Sequence, residues 1–219
     1  MNMITIHKIT EVMDLLEGLQ AVIFDLDDTL YSEKEYIRSG YHIVARDVLS
    51  MIPDAEEKLW QAFTSKKSAF DSVLYDAEVY SEEIKTACLH AYHYQEPDIH
   101  LYNGVEEMLK KLRNRRFMLG IITDGRPEGQ RAKINALGLE PLVDHIVITD
   151  ELGGIEYRKP NDRAFILMQE MLDVPFSAMA YVGDNTKKDF IAPEKLGMNS
   201  IYFRNADGLF FEGLNERDK

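Results

Sequence analysis

The chain has 219 residues, with 25 lysines and arginines against 38 aspartates and glutamates, which gives a formal net charge of −13. This acidity argues against a general nucleic-acid binder and against binding to anionic membranes, because no basic field attracts their phosphates. A small phosphorylated ligand is not excluded, since it contacts only a local site. With 45% hydrophobic and 29% charged residues, the composition is that of an ordinary globular protein with a sizeable core.

The cysteine content and the length of the apolar runs indicate where in the cell the protein is located. The single cysteine, Cys88, excludes an internal disulfide and fits a reducing environment. No apolar run approaches the roughly 20 residues that cross a bilayer. The first residues also lack the basic and then apolar pattern of a signal peptide. We therefore expect a cytoplasmic protein without a membrane partner.

The N-terminal segment predicts a helix within residues 1–19. Val12, Leu15, Leu16 and Leu19 recur at the spacing of one helical face. This helix is additional to the predicted core, and we expect it to pack against the sheet or its helices. A surface for a protein partner is the alternative.

Residues 31–100 predict an all-helical insert. Apolar residues recur at helical spacing from Ile37 onward, Pro53 interrupts the pattern, and no strand pattern occurs before the insert ends. The predicted core is therefore discontinuous and consists of residues 1–30 and 101–219.

The core alternates between short apolar strands and amphipathic helices. The predicted strands are Ala21–Leu26, Phe117–Thr123, His145–Ile148, Met179–Val182 and Ser200–Phe203. Strands that alternate with helices favour a parallel sheet covered on both faces. We therefore expect an α/β fold with a Rossmann-like, five-stranded parallel sheet.

Polar residues follow the carboxyl ends of these strands, where ligands bind in open parallel sheets. They are Asp25, Asp27, Thr123, Asp124, Gly125, Lys159, Asp184 and Asp189. Several carboxylates at one place stay ionised only beside a cation, and oxygen ligands without histidine or cysteine favour Mg²⁺. One aspartate there can attack phosphorus, and a second carboxyl can donate and accept the proton.

Four motifs, in this order, resemble those of the haloacid dehalogenase-like hydrolase superfamily. The sequence Phe24-Asp25-Leu26-Asp27-Asp28-Thr29-Leu30 fits the first motif, and Thr123 fits the second. Lys159-Pro160 fits the third, and Gly183-Asp184 with Asp189 fits the fourth. The insert resembles the helical cap of the superfamily. The run from Thr123 to Lys133 is similar to the capped phosphatases that include N-acylneuraminate-9-phosphatase.

The resemblance implies a role for each matched residue. Asp25 is the nucleophile, and Asp27 is the general acid and base. Thr123 binds the phosphoryl group, and Lys159 stabilises the charge on Asp25 and on the phosphoryl oxygens. The implied ligands or supports of Mg²⁺ are Asp25, Asp27 through its backbone carbonyl, Asp184 and Asp189. Because the dehalogenases of the superfamily lack the second aspartate, Asp27 favours phosphoryl chemistry over dehalogenation.

Four further residues are weaker candidates for substrate contacts. Asp124 and Gly125 stand where relatives often have Asn-Gly, and the additional carboxylate can alter the affinity for metal or substrate. Arg38 and His42 lie in the first segment of the predicted cap, close to the nucleophile along the chain.

The sequence thus predicts a Mg²⁺-dependent phosphatase that hydrolyses a small phosphorylated metabolite, such as a sugar phosphate, through an aspartyl-phosphate. A phosphotransferase or sugar-phosphate mutase with the same nucleophile is one alternative. A non-enzymatic binding or regulatory module on the same fold is another.

Overall fold

The computed structural model describes residues 3–211. The chain divides into two compact units, one that takes in the chain up to Glu33 and from His100 onward, and one that consists of Lys34–Ile99. None of the helices in the described range is long and apolar enough to cross a bilayer.

The first unit contains a sheet that has six strands in the described part of the chain, all parallel, in the order β1-β6-β5-β2-β3-β4. The strands are β1 (Ile4–Ile6), β2 (Ala21–Phe24), β3 (Met118–Thr123), β4 (His145–Ile148), β5 (Met179–Gly183) and β6 (Asn199–Phe203). The predicted α/β fold with a parallel sheet is confirmed. The predicted number of five strands is wrong, because β1 was missed.

Between residues 3 and 211 the α-helices are α1 (Glu33–Asp47), α2 (Ala55–Thr64), α3 (Ala69–Asp76), α4 (Glu82–His93), α5 (Val105–Asn114), α6 (Pro127–Ala136), α7 (Arg163–Leu172) and α8 (Ile191–Leu196). On the first unit, α7 packs closely on β3 and β4. Gly120 of β3 permits this approach, since a Cβ there would lie 2.6 Å from the sulfur of Met168.

The N-terminal segment is a correction to the sequence prediction. Instead of an α-helix within residues 1–19, it forms β1 followed by a 3-10 helix, Ile9–Asp14. β1 adds to the edge of the sheet through β6, with Ile4 opposite Ile201. Val12 and Leu16 are buried, as the apolar spacing indicated. The sequence shows no clear strand pattern for β1, because β1 has three residues and only Ile6 is buried.

The second unit is all-helical and contains α2, α3, α4 and nearly all of α1. Tyr41 lies at the centre of an aromatic cluster, in edge contact with Phe63 and Phe70 and in tilted contact with Tyr92. Gly40 makes room for this packing, because a Cβ there would lie 2.5 Å from the Tyr92 ring. The cap role predicted for residues 31–100 stays a prediction.

The loop after β2 is held by the C-terminal part of the described chain. Asp28 adopts a left-handed backbone conformation with φ of 52° and is buried. Its carboxylate accepts hydrogen bonds from the backbone N–H of Glu33 at 3.0 Å and of Leu209 at 2.7 Å. The Asn205 side chain donates to the Asp28 carbonyl at 2.8 Å. These contacts fix the loop that carries the two motif aspartates.

Candidate active site

The register of the central strands brings the predicted residues to one edge of the sheet. Phe24 of β2 lies opposite Ile121 of β3 and Val182 of β5. Asp25 directly after β2, Thr123 at the end of β3 and Asp184 directly after β5 therefore stand within two residues of this level, at one edge of the sheet. The backbone N–H of Asp25 still donates to the Val182 carbonyl at 2.8 Å, so the nucleophile candidate sits at the last rung of the ladder. The change of direction in strand order beside β2 creates the crevice in which ligands bind.

Lys159 is the central cation of this edge, and its side chain is fully buried. Its ammonium lies 2.6 Å from Oδ1 of Asp25 and 2.9 Å from Oδ1 of Asp189. It also donates a hydrogen bond of 2.9 Å to the Tyr181 hydroxyl. One ammonium thus pairs with two buried carboxylates, so that the ionised group of three side chains has a net negative charge.

The carboxylates of Asp25, Asp184 and Asp189 form a buried group in which one oxygen of each lies within 4.8 Å of the others. Burial raises the pKa of Asp25 to about 7, against the attraction of Lys159. Burial and the nearby Asp25 and Asp189 raise the pKa of Asp184 to about 9. In the described chain, no hydrogen bond or ion pair reaches the Asp184 carboxylate.

This donor set fits a metal ion. Lys159 pairs with Asp25 and Asp189 but not with Asp184, so the three buried carboxylates carry negative charge that the lysine does not compensate. A hard divalent cation would remove that penalty. Asp25, Asp184 and Asp189 are the residues whose carboxylates would hold it. The Asp27 carboxylate is outside this group, so its predicted contribution through the backbone carbonyl stays a prediction.

Asp27 lies two residues after Asp25 in a different environment. Its Oδ1 receives hydrogen bonds from the Lys133 ammonium at 2.7 Å and from the Tyr31 hydroxyl. Its Oδ2 receives one from the Gln130 amide at 2.9 Å. Burial alone would raise the pKa of Asp27, but the Lys133 charge and these hydrogen bonds outweigh it and hold the pKa below its usual value.

Thr123 ends β3 and is fully buried. Its hydroxyl oxygen accepts a short hydrogen bond from the Gln130 amide. Because a hydroxyl that accepts in this way still has its own proton to donate, Thr123 is able to bind a phosphoryl oxygen.

Asp124 is enclosed by donors. Its Oδ1 accepts hydrogen bonds of 3.0 Å from the Thr149 hydroxyl and from the backbone N–H of Lys159, and its Oδ2 accepts one of 2.7 Å from Lys188. Burial is opposed by the charges of Lys159 and Lys188, and the pKa of Asp124 is lowered. An asparagine at this position would keep an acceptor for the first two donors but lose the ion pair with Lys188.

The remaining predicted residues lie in two places. Gly125 has φ of 141°, a conformation that favours glycine, and it packs against the Gln130 side chain. Arg38 and His42 belong to the helical unit. There the Arg38 guanidinium lies 3.7 Å from the centre of a Trp60 ring, and His42 Nδ1 lies 2.8 Å from a Glu56 oxygen. Their predicted substrate contacts stay predictions.

The sequence reasoning missed several residues of this site. They are Tyr31, Glu33, Gln130, Lys133 and Tyr181. Burial and the neighbouring Asp27 raise the pKa of Glu33 to about 8. Gln130 and Lys133 stand three apart on a largely polar helix, and only the structure shows that this polar face is buried.

The family follows from the comparison with known proteins. The model of the haloacid dehalogenase-like hydrolase family matches residues 22–203, and the chain therefore belongs to this family. The resemblance that the four motifs indicated is confirmed.

Two curated relatives and one solved structure extend the comparison. The chain is 28% identical over 217 residues to the glyceraldehyde 3-phosphate phosphatase of Methanopyrus kandleri, with 91% of this chain and 90% of the relative covered. It is 26% identical over 200 residues to the protein of the same name from Pyrococcus abyssi, with 85% and 82% covered. The magnesium-bound hydrolase YfnB of Bacillus subtilis has a similar fold, with a TM-score of 0.65, 18% identity and 91% of both chains covered.

Proposed function

We propose that this protein is a Mg²⁺-dependent phosphatase that hydrolyses a small phosphorylated metabolite through an aspartyl-phosphate on Asp25. One observation carries the proposal. Asp25 pairs with the Lys159 ammonium and lies with Asp184 and Asp189 in one buried acidic group, while Asp27, two residues on, is held by a separate lysine. Asp25 and Asp27 therefore lie in different environments. A cation beside Asp25 would lower its pKa and keep it ionised as the nucleophile, which leaves Asp27 for a separate acid–base role.

The acidic group of Asp25, Asp184 and Asp189 supports the choice of Mg²⁺. Its donors are carboxylate oxygens, with no histidine or cysteine among them, and such donors suit a hard cation. When bound, Mg²⁺ would neutralise the phosphate charge and align the phosphorus with Asp25.

The first chemical step uses residues of this chain. Asp27, whose lowered pKa leaves it ionised at neutral pH, first takes up a proton from solvent. An oxygen of Asp25 then attacks phosphorus, the bond from phosphorus to the ester oxygen breaks, and Asp27 passes its proton to that oxygen. Lys159 and the Thr123 hydroxyl hold the phosphoryl oxygens while their charge grows. In the second step Asp27 takes a proton from water, the water oxygen bonds to phosphorus, and Asp25 leaves.

The names of the relatives support the substrate class. Glyceraldehyde 3-phosphate phosphatase is the name of two relatives that this chain matches over most of their length. A short phosphorylated sugar or triose is accordingly the first class of substrate to test.

Several predictions from the sequence accompany this proposal. We retain the cap role of the helical unit, with Arg38 and His42 as substrate contacts, and a cytoplasmic location without nucleic-acid or membrane partners. A partner surface at the N-terminus also stays a prediction, although the segment there is a strand and a 3-10 helix instead of an α-helix.

A phosphate-release screen tests the proposal. Several dozen phosphorylated metabolites, with triose and sugar phosphates first, are incubated with the purified chain in the presence and absence of Mg²⁺. We expect rapid release of inorganic phosphate that requires Mg²⁺. Isomerised sugar phosphate without release would favour the mutase, and no Mg²⁺-dependent turnover together with a tight partner would favour the binding module.

A further inference from the structure

The two carboxylate oxygens of Asp27 accept different numbers of hydrogen bonds. Oδ1 receives two donors, the Lys133 ammonium at 2.7 Å and the Tyr31 hydroxyl. Oδ2 receives one, the Gln130 amide at 2.9 Å. A carboxylate oxygen has about two favourable acceptor positions. Oδ1 is therefore fully occupied, and Oδ2 retains one open position.

Two of these donors come from one face of α6. Gln130 and Lys133 are three residues apart, so their side chains project from the same side of the helix. Both residues are buried, and the Lys133 side chain is only 8% exposed. A buried ammonium is costly unless a carboxylate compensates it, which ties the Lys133 conformation to Asp27.

Gln130 also links Asp27 to the phosphoryl-binding residue. The same amide nitrogen lies within hydrogen-bonding distance of Asp27 Oδ2, of the Thr123 hydroxyl and, at 2.8 Å, of the Asp124 carbonyl, and these three acceptors share its two hydrogens. Gln130 thus fixes the position of Oδ2 relative to the end of β3, where we expect the phosphoryl group to bind.

We propose that Lys133 is a positioning residue, which, together with Tyr31 and Gln130, fixes the Asp27 carboxyl so that Oδ2 is the oxygen that exchanges the proton with the substrate. The inference rests on the proposed function and deepens it. In the first step a proton that Oδ2 has taken up from solvent passes to the ester oxygen, so that the Oδ2–H bond breaks as the bond from the ester oxygen to phosphorus breaks. In the second step Oδ2 takes the proton of the attacking water.

The test compares two phosphate esters of similar size but different need for protonation. Benzyl phosphate releases a strongly basic alkoxide, whereas 4-nitrophenyl phosphate releases a stable anion. The measured quantity is kcat/KM, because it covers only the steps up to transfer of the phosphoryl group to Asp25. We expect Lys133→Met to lower kcat/KM about 10²-fold for benzyl phosphate and less than about 5-fold for 4-nitrophenyl phosphate.

The ratio of the two values separates positioning from folding, since a loss of folded protein reduces both equally. Lys133→Arg, which keeps the cation, should restore much of the benzyl phosphate activity. Arg131→Met is the matched control on the same helix, because its exposed side chain pairs with Glu151. It should leave both values unchanged.

A double-mutant cycle completes the test. In an Asp27→Asn background, Lys133→Met should change the ratio of the two esters no further, because the residue it positions is already gone. The inference would be overturned if Lys133→Met lowered kcat/KM equally for both esters, or if it changed the ratio of the two values further in the Asp27→Asn background. Either result would leave the proposed function intact. If the unmodified chain hydrolysed neither ester with Mg²⁺, or if Asp25→Asn remained active, the proposed function would fail and this inference with it.

Discussion

Asp25 and Asp27 stand two residues apart, each paired with a buried lysine from a distant part of the chain, yet their surroundings differ. Lys159 is shared between Asp25 and Asp189, with Asp184 close by, and the pKa of Asp25 rises to about 7. Lys133 acts on Asp27 together with two neutral donors, and the pKa of Asp27 falls.

The difference in charge indicates which of the two groups of residues would hold a cation. On the Asp25 side, three carboxylates face one ammonium, so the balance of charge is negative and burial is unfavourable. On the Asp27 side, the Lys133 ammonium and two neutral donors compensate the Asp27 carboxylate. The neighbouring Glu33 has a pKa raised to about 8, so it keeps its proton at neutral pH and adds little negative charge. A divalent cation would therefore be held by the carboxylates of the Asp25 side and not by the Asp27 carboxylate.

The largest expected effect comes from removing the nucleophile. Asp25→Asn should reduce Mg²⁺-dependent phosphate release by at least about 10³-fold, because the amide cannot form the aspartyl-phosphate. The exposed Asp14, in the 3-10 helix of the same unit, supplies the matched control Asp14→Asn, which should retain full activity. Substantial turnover by Asp25→Asn would exclude it as the nucleophile.

Replacement of Asp184, whose carboxylate has no ion pair within the described chain, should have the next largest effect. Asp184→Asn should raise the Mg²⁺ concentration needed for half-maximal activity by at least about 10-fold, since it removes one oxygen ligand and one negative charge. Phosphate release measured across a Mg²⁺ titration checks this. An unchanged Mg²⁺ requirement would place the cation elsewhere.

The pH dependence of stability should reveal the charge imbalance directly. Burial raises the pKa of Asp25, Glu33 and Asp184 to about 7, 8 and 9, from ordinary values of 3.8, 4.5 and 3.8. Above those ordinary values the unfolded chain has released protons that the folded chain retains. The free energy of unfolding should therefore fall as pH rises from 5 to 9, by up to about 1.4 kcal/mol per pH unit for each group.

Urea unfolding in a chelator, at several pH values, measures this slope. Mg²⁺ should flatten it, because the cation stabilises the ionised carboxylates of the folded chain. A metal-free protein whose stability stayed constant or rose between pH 5 and 9 would contradict the electrostatic account of the Asp25 side.

The smallest effect is expected at Asp124. Asp124→Asn keeps an acceptor for Thr149 and for the Lys159 backbone, and it loses the ion pair with Lys188, whose side chain is 30% exposed. We expect a loss of stability below about 1 kcal/mol. Thermal unfolding beside Lys188→Met, which removes the other partner, checks it. A much larger loss would show that the carboxylate does more than hold Lys188.

The two sides also differ in how well the sequence predicted them. Asp25, Asp184 and Lys159 follow strand ends, and parallel strands place their carboxyl ends together, so their meeting was predictable. Lys133 and Gln130 were not identified because they lie inside a helix, where a polar residue ordinarily faces solvent. Only the position of α6 against the loop after β2 turns that face inward.

A similar limit explains the N-terminal error. The apolar spacing of Val12 and Leu16 correctly indicated burial, but it did not distinguish an α-helix from a 3-10 helix. β1 depends on backbone pairing with β6, which lies almost two hundred residues away along the chain and leaves no local pattern.

The most direct test of the central claim is to trap the phosphoryl group on the nucleophile. Asp27→Asn should still transfer it from 4-nitrophenyl phosphate, whose leaving group needs no proton, but should hydrolyse the aspartyl-phosphate slowly. With Mg²⁺, we predict a burst of about one nitrophenolate per chain and, after acid quenching, a phosphoryl group on the peptide that contains Asp25. Turnover without a burst, or a phosphoryl group attached to another residue, would contradict the account.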